Sequence, residues 1–414
     1  MNGTRELSLP ARTKALLLAY LAFIMLGLPV GLLGVAWPTL RADFALPLEA
    51  LGLLLITSTV GYILASFFIA RLINRFGIGS LLIWAGLASA AALFGYPLAP
   101  AWSVLVAIGA LAGFGAGVLD AGLNTYLAAE YQESEMQWLH ACFGIGATLS
   151  PIIMTVSLSQ FFSWRPGYYF VGGLMVIMTG AFWLTRSAWI APKNMAQAAA
   201  ATGGEKPGLM DFRTSIWASL LQPQTLIGIL LFLLYSGAEL TLGNWTYTLF
   251  TEGRGISPQV AGLWAGGFWA VFTVGRVLGG LYAHRVRLNT LMLSALSLAL
   301  VGSIIFWWNP LPLVGVLGVF LVGFAMAPIF PGLVSSTSQR VGKQHAANSI
   351  GIQISAANLG GALLPALAGF LAQRVSLETI PVMLAVSLLG MLGLYLLSTR
   401  LKTAGQPIAD GAIG

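Results

Sequence analysis

The sequence predicts an all-α polytopic membrane protein in which twelve transmembrane helices form two related six-helix halves. Of its 414 residues, 57% are hydrophobic and only 8% are charged, whereas soluble domains carry about 25% charged residues. Apolar runs long enough to cross a bilayer recur along the whole chain. Motifs of the first half also return in the second half. These three observations together define the fold class.

Short polar turns separate the predicted spans. The spans cover residues 14–38, 48–72, 79–98, 102–128, 136–162, 166–188, 224–250, 258–282, 288–308, 311–338, 346–373 and 377–399. The first run is long for the core of a cleaved signal peptide, so it is interpreted as a span. The longest polar stretch predicts a linker between the halves. The predicted divisions are the N-terminus 1–13, the halves 14–188 and 224–399, the linker 189–223 and the tail 400–414.

The basic residues predict the orientation of the chain in the membrane. Segments on one side carry Arg5, Arg12, Lys14, Arg71, Arg75, Arg186, Lys193, Lys206, Arg213, Arg285, Arg287, Arg340, Lys343, Arg400 and Lys402; the other side carries only Arg41, Arg165, Arg254 and Arg374. The positive-inside rule places both termini and the linker in the cytoplasm. We expect a multi-pass protein of a bacterial cytoplasmic (inner) membrane. Topology explains the net charge of +7, so no nucleic-acid partner is expected.

Three pairs of segments repeat between the halves. The turn after the second span, 70–77, parallels the turn after the eighth, 280–286. Gly-Phe and Gly-Leu pairs recur at the same offset in the fourth and tenth spans. The segment 146–151 of the fifth span parallels 360–365 of the eleventh. Related halves joined by a cytoplasmic linker predict a pseudo-two-fold axis along the membrane normal, with substrate held between the halves near mid-membrane.

An acidic residue inside the fourth span is the first functional signal. Asp120 lies in the Gly- and Ala-rich stretch 113–124. An Asp near the centre of a membrane helix costs roughly 2.5–3.5 kcal/mol on insertion scales. Asn124 follows one turn later on the same face, and the small residues allow a neighbouring helix or a ligand to approach closely. The pattern predicts a solute or proton path; the alternative is a structural Asp bonded to another helix.

The seventh span carries a second polar group of residues. Glu239 lies near its middle, Tyr235 lies one turn earlier, and Asn244 and Trp245 follow. A carboxylate and an amide exchange hydrogen bonds with hydroxyl groups, and an aromatic ring stacks on the apolar face of a sugar. The combination predicts recognition of a polyol. The alternative is helix–helix hydrogen bonding with an interfacial Trp.

Asp120 and Glu239 are the two acidic residues predicted well inside the membrane. Loss of water favours the neutral form of a carboxyl group, so such a group can carry a proton between the two sides. Proton coupling is therefore the favoured energy source. Sodium would also accept carboxylate oxygens, so the ion is open between H+ and Na+. No other cofactor is expected.

Further polar and aromatic residues are candidates for the same path. Trp269 in the eighth span, and Gln353 and Asn358 in the eleventh, are candidate substrate contacts, with helix packing as the alternative. His140 opens the fifth span as a proton relay or as a rim residue. Arg276 falls within the eighth span and needs a partner.

Two arginines at cytoplasmic helix ends have a different predicted role. Arg75 follows the second span and Arg285 follows the eighth. There they can cap helix carbonyls and meet acidic groups when the transporter closes. We assign them to gating and not to substrate contact.

Several function classes lack support in the sequence. The three His are far apart and Cys142 is the single Cys, so no metal cluster and no disulfide is expected. Cys142 lies in an apolar segment, where a small buried hydrophobe is favoured over a reactive thiol. No Gly-x-x-x-x-Gly-Lys-Ser/Thr loop indicates ATP hydrolysis. No nucleophile, base and orienting group can be assembled, so the chain is not interpreted as an enzyme.

The chain resembles the major facilitator superfamily over almost its whole length. The turns Asn74-Arg75-Phe76-Gly77 and His284-Arg285 look like degenerate copies of its Asp-Arg-x-Gly-Arg-Lys/Arg loop, which implies gating roles for these positions. Within the superfamily it resembles the fucose:proton symporter family, which includes bacterial glucose/mannose:proton symporters. The segments that carry this resemblance are 115–120, 143–147, 235–239, 268–269 with 275–276, 329–331 and 359–362.

The resemblance implies a sugar carried together with a proton. Asp120 occupies the place of the family's usual fourth-helix Glu, and Glu239 matches the acid after Tyr-x-Gly in the seventh helix. Some fucose carriers have a first-helix Asp where this chain has Gly34, which argues against fucose itself. The expected function is proton-coupled symport of a monosaccharide, a hexose, by a monomer working through alternating access.

Two other function classes remain open from the sequence. An exporter of drugs or amphipathic molecules on the same fold fits the aromatic, Met-containing interior. A transport-dead membrane receptor ranks lower, because such proteins usually carry a sizeable soluble appendage, and here the tail and the linker are short.

Overall fold

The computed structural model of the chain describes residues 9–131, 133–186, 189, 214–282 and 286–401. Its helices are α1 (Leu9–Asp43), α2 (Ala50–Phe76), α3 (Ile78–Leu98), α4 (Trp102–Glu130), α5 (Glu133–Phe161), α6 (Arg165–Leu184), α7 (Ile216–Leu220), α8 (Pro223–Thr248), α9 (Pro258–Tyr282), α10 (Leu288–Trp308), α11 (Pro312–Met326), α12 (Ile329–Val341), α13 (Lys343–Arg374) and α14 (Thr379–Arg400). Twelve candidate membrane spans lie within these residues. The predicted fold class is therefore confirmed.

Two spans depart from a regular α-helix. The span of α8 continues through a π-helical turn, Leu249–Gly253. The tenth span consists of α11 and α12, which are separated by a turn at Ala327 and Pro328. Proline has no backbone N–H and its ring crowds the preceding turn, so a helix is readily interrupted there. Both departures lie in the second half of the chain.

The same pairs of helices pack together in each half. In the first half α1 packs on α5, α2 and α3 pack on α4, and α3 packs on α6. In the second half the equivalent contacts join α8 to α13, α9 and α10 to α11, and α10 to α14. Between the halves, α5 meets α9 and α2 meets α13, while α1 meets α8. This pattern is what two halves related by a pseudo-two-fold axis require.

Glycines at repeated positions set the closest helix crossings. A Cβ on Gly146 of α5 would lie 2.9 Å from the carbonyl carbon of Ile24 in α1. A Cβ on Gly360 of α13 would lie 2.7 Å from the carbonyl carbon of Leu233 in α8. Small residues allow membrane helices to approach this closely. The sequence repeat at these two glycines therefore corresponds to the same crossing in each half.

Ion pairs mark one end of the bundle, which we call the loop end; it contains residues 44–49 and 254–257. Within the first half, the guanidinium of Arg165 lies 2.6 Å from the carboxylate of Asp43. Within the second half, Arg254 makes two contacts of 2.7 and 2.8 Å with Glu378. Each pair joins the end of the first helix of a half to the start of its last helix. In the first half the acid belongs to the first helix and the base to the last helix, and in the second half the two charges are reversed.

Two further ion pairs hold the halves together at the loop end. Arg41 of α1 lies 2.6 Å from Glu252 of the π-helical turn. Arg374 of α13 lies 2.5 Å from Glu49, which precedes α2. No ion pair joins the halves at the opposite end within the residues that the structure describes. That opposite end, which contains Arg186 and α7, is called the linker end.

The first helix of each half also meets the other half at close range near the loop end. A Cβ on Gly34 of α1 would lie 3.0 Å from the Cα of Asn244 in α8, and it would also overlap the carbonyl oxygen of Gly243. This contact leaves no space for a first-helix carboxylate in this conformation. The bundle is therefore closed at the loop end by backbone packing as well as by charge.

The described part of the linker is fixed to the second half. The Oγ of Ser219 in α7 lies 3.0 Å from Nδ1 of His345 in α13. Asn348 of α13 donates to the carbonyl of Thr214 at 2.9 Å and to the Oγ of Ser219 at 3.2 Å. Since His345 and Ser219 are buried, α7 is an integral part of the second half.

Candidate functional site

A central cavity of about 480 Å³ lies between the two halves. Helices α1 to α6 contribute mostly apolar side chains to its wall, and both halves contribute polar side chains. His140, seven residues from the linker-end start of α5, lines the cavity and is solvent-exposed. Since ion pairs join the halves at the loop end and none joins them at the linker end among the described residues, we interpret the cavity as open toward the linker end. The molecule is thus in one of the two states that alternating access requires.

Asp120 lines this cavity on the side of the first half. The hydroxyl of Tyr62 in α2 donates a hydrogen bond to one carboxylate oxygen of Asp120. The amide of Asn124 donates to the other oxygen at 3.0 Å. Gly117 allows this arrangement, since a Cβ there would lie 3.0 Å from the Cα of Tyr62. The acid is held by two donors and still faces the cavity.

Glu239 lines the cavity from the second half, together with Tyr235 and Arg276. Arg276 of α9 donates to the hydroxyl oxygen of Tyr235 at 3.5 Å, a long contact. The same hydroxyl interacts with the Glu239 carboxylate, and the charges of Glu239 and Arg276 interact with each other. The second half therefore presents a group of opposite charges linked through one hydroxyl.

Three other predicted substrate contacts reach the cavity wall. Asn244 lines it while its amide donates to the carbonyl of Leu240 at 2.8 Å. Asn358 of α13 lines it as well, and Trp269 contributes a ring that also packs on Phe268 and Phe272. The cavity thus combines two carboxylates, two amides and an indole, which are the groups that the sequence predicted for a polyol site.

Other predicted substrate contacts lie away from the wall. Asn124 contacts Asp120 and does not itself line the cavity. Trp245 is fully buried, and its indole N–H donates to the carbonyl of Pro365 at 2.9 Å. Gln353 is buried and accepts a hydrogen bond of 2.9 Å from Thr337. In this conformation the structure does not bring Trp245 or Gln353 to the cavity.

Two of the four predicted gating residues lie at the linker end of α2. Asn74 and Arg75 are exposed in the last turn of α2, where the Cζ of Arg75 lies 5.4 Å from the centroid of the Phe76 ring. His284 and Arg285 fall outside the described residues. Their gating roles stay predictions.

Tyr62 is the residue that the sequence analysis missed. Its hydroxyl is the only polar group of its side chain, and it lies in a long apolar span where Tyr is an ordinary packing residue. No local signal connects it to Asp120, since the two residues lie on different helices. The Gly-rich face of α4 was a partial signal, because it showed that some helix approaches Asp120 closely.

Two solved structures of membrane transporters share this fold. A bacterial homologue of the human lysosomal transporter Spinster, in an inward-facing and unoccupied conformation, superposes with a TM-score of 0.78 at 16% identity, covering 95% of this chain and 98% of that one. The nucleoside transporter NupG superposes with a TM-score of 0.71 at 14% identity, covering 95% and 100%. At these identities the likeness shows the fold alone.

The family model of the Major Facilitator Superfamily matches residues 19–352 and, in a second alignment, 227–412. The chain belongs to the Major Facilitator Superfamily. The predicted resemblance to this superfamily is thus confirmed. Membership indicates a multi-pass transporter of a small-molecule substrate and not an enzyme.

Relatives within the superfamily include sugar transporters. The glucose/mannose transporter GlcP of Bacillus subtilis is 24% identical over 307 residues, which cover 73% of this chain and 74% of the relative. Human sodium-dependent glucose transporter 1 is 24% identical over 408 residues, covering 89% and 75%. Bypass of stop codon protein 6 of Saccharomyces cerevisiae is 26% identical over 392 residues, covering 87% and 77%.

Proposed function

We propose that this member of the Major Facilitator Superfamily imports a monosaccharide, a hexose, together with a proton across a bacterial cytoplasmic membrane. The observation that carries the proposal is that carboxylates from opposite halves, Asp120 and Glu239, line one central cavity. Acidic residues at this depth are costly and usually face a transport path. The names of GlcP and of sodium-dependent glucose transporter 1 support a sugar as cargo.

The polar groups of the cavity suit a compact polyol. Carboxylate oxygens accept hydrogen bonds from hydroxyl groups, and the amides of Asn244 and Asn358 can donate and accept. The ring of Trp269 borders the cavity but is fully buried in this conformation, so stacking on the apolar face of a pyranose requires a change in its packing. A volume of about 480 Å³ lies within the usual range for small-molecule sites, roughly 300–1,000 Å³.

Asp120 is the proposed coupling group. As a carboxylate it accepts hydrogen bonds from Tyr62 and Asn124, and as a carboxylic acid it would lose part of this network. Protonation therefore changes the contact between α2 and α4 within the first half. Such a differential contact is what a proton needs in order to bias one of two conformations.

The test is uptake of radiolabelled hexoses into proteoliposomes with an imposed proton gradient. We expect gradient-driven accumulation by the wild type. We expect Asp120→Asn to abolish accumulation while it retains counterflow exchange, because the amide keeps the shape of the acid and removes its proton. Ser294→Ala, on the exposed face of α10 and outside the cavity wall, serves as a control for expression and reconstitution. Absence of gradient-driven accumulation for every sugar in a panel would reject the hexose function, and unchanged accumulation by Asp120→Asn would reject the coupling role.

One observation favours the exporter of amphipathic molecules as a second candidate. The cavity wall of the first half is largely apolar, with residues such as Leu26, Val30, Leu54 and Leu93. Apolar lining is common in small-molecule sites generally, so it does not outweigh the paired carboxylates. A thermal-shift comparison of hexoses with lipophilic cations separates the two functions, since only an exporter of this type should be stabilised by the cations.

A further inference from the structure

The guanidinium of Arg276 has unused hydrogen-bonding capacity inside the membrane. Its Nε is buried and has no hydrogen-bond partner. Among the described residues, the guanidinium makes one hydrogen bond, the long contact of 3.5 Å to Tyr235. Arg254 at the loop end also has one buried nitrogen without a partner, Nη1, but its other nitrogens make three hydrogen bonds of 2.7–2.9 Å. A guanidinium carries five N–H donors, and a buried donor without a partner is costly.

No carboxylate forms an ion pair with Arg276 in the part of the chain that the structure describes. Glu239 balances its charge only at a distance, beyond the range of the four ion pairs at the loop end. The guanidinium also lies over the ring of Phe272, with its Cζ 4.5 Å from the ring centroid. Phe272 therefore fixes the orientation of the group without using its N–H donors, since a cation–π contact involves the face of the guanidinium.

Arg276 lies in the cavity between the halves, where a bound solute can contact residues of both halves. It lines the central cavity, and together with His140 of α5 it also lines a small recess between α5 and α9. Counting along α9, Arg276 is six residues from the linker-end terminus of that helix, or about 9 Å. A solute entering from the linker end therefore meets this cation before it reaches Glu239 and Asn244.

The charges around Arg276 define the anion that fits. A planar guanidinium with free N–H groups matches the two oxygens of a carboxylate in a bidentate contact. Glu239 and Asp120 line the same cavity, so a dianion such as a phosphate monoester would face two like charges for one cation. A single carboxylate suits the site, with the hydroxyl groups of the same molecule directed toward the amides.

We propose that Arg276 forms an anion subsite and that the preferred cargo is a sugar acid, a hexuronate whose carboxylate binds this guanidinium. This inference rests on the proposed function, because it places the sugar in the same cavity. Binding of the carboxylate takes over the partial balance that Glu239 and Tyr235 supply to Arg276. The substrate thereby acts on the charged group of Arg276, Tyr235 and Glu239 in the second half, whereas the proposed coupling group, Asp120, lies in the first half.

The experiment measures equilibrium binding of D-glucuronate and of D-glucose to the purified full-length protein. The wild type should bind D-glucuronate at least tenfold more tightly, since a charge-assisted bidentate contact contributes roughly 1.5–3 kcal/mol. Arg276→Gln should lose this preference, leaving the two affinities within about threefold of each other. Arg276→Lys keeps the positive charge but lacks the planar guanidinium, so its preference for D-glucuronate should lie between that of the wild type and that of Arg276→Gln. Arg71→Gln is the matched control, because Arg71 is exposed on α2 outside the cavity.

Three outcomes would overturn the proposal, and they separate it from the proposed function. If the wild type binds D-glucose as tightly as D-glucuronate, the anion subsite is refuted and the hexose function stands. A preference for glucuronate that persists in Arg276→Gln refutes the role of Arg276 specifically. Binding of neither sugar by a wild type that still binds a lipophilic cation refutes both proposals. The comparison of the two sugars on the wild type decides the question even if Arg276→Gln does not fold.

Discussion

Replacing Gly34 by Ala should open the loop end of the transporter. In the closed arrangement the new Cβ would lie 3.0 Å from the Cα of Asn244 and 3.2 Å from its carbonyl oxygen, and it would overlap the carbonyl of Gly243. These neighbours are backbone atoms, which cannot rotate away as a flexible side chain can. Overpacking of this type costs typically about 1–3 kcal/mol. We expect the cost to fall on the loop-end-closed state only, because α1 and α8 separate there when the other state forms.

A cost of about 1–3 kcal/mol on one of two states changes their ratio by roughly 5- to 150-fold. The measurement is a distance distribution between spin labels at Ala101 and Leu311, which are exposed at the loop end in opposite halves. Cys142 is replaced by Ala beforehand so that only the two labels react. The Gly34→Ala population should move to longer distances.

The matched control is Gly180→Ala on α6, where nothing lies within 4 Å of the added Cβ. This variant should reproduce the wild-type distribution. An unchanged distribution in Gly34→Ala, with the protein folded and monodisperse, would show that the contact between α1 and α8 does not limit opening. The steric argument would then be refuted.

Two other perturbations follow from contacts at the site and at the loop end. Tyr62→Phe removes the hydroxyl that donates a hydrogen bond to Asp120. In proteoliposomes, proton-driven accumulation should fall about tenfold or more, while counterflow exchange is retained. Equal losses of accumulation and counterflow would show that Tyr62 is needed for folding or substrate binding instead. Arg374→Gln breaks the ion pair with Glu49, in which the Arg374 side chain is 51% exposed and the Glu49 side chain is 35% exposed. Exposed ion pairs contribute little to stability, so the spin-label populations should shift by less than about fivefold. A larger shift would contradict this expectation.

The parts of the site that could be predicted from the sequence are those with a high cost in the membrane. Asp120 and Glu239 stand out because a carboxyl group in an apolar span needs a reason to be there, and both line the cavity. The repeat, read from glycine and proline positions, likewise corresponds to equivalent helix crossings. A residue that is costly to place in the membrane can therefore be recognised from the sequence without knowledge of the helices around it.

The residues that could not be assigned depend on which way a helix faces. Trp245 and Gln353 have polar groups that are satisfied by Pro365 and Thr337, away from the cavity. In a soluble helix the polar face reveals the rotation, but a membrane helix is apolar toward lipid and toward its neighbours alike. Tyr62 was missed for the same reason, because its role depends on a partner in another helix.

The attachment of α7 to α13 has a consequence for the connection between the halves. Since Asn348 holds Thr214 and Ser219 by hydrogen bonds, α7 moves together with the second half when the two halves move relative to each other. Trp217, which is 70% exposed on α7, would therefore travel as a rigid marker of the second half. The distance between a fluorophore at position 217 and a second one at position 183 would report the relative movement of the two halves at the linker end, independently of any label at the loop end.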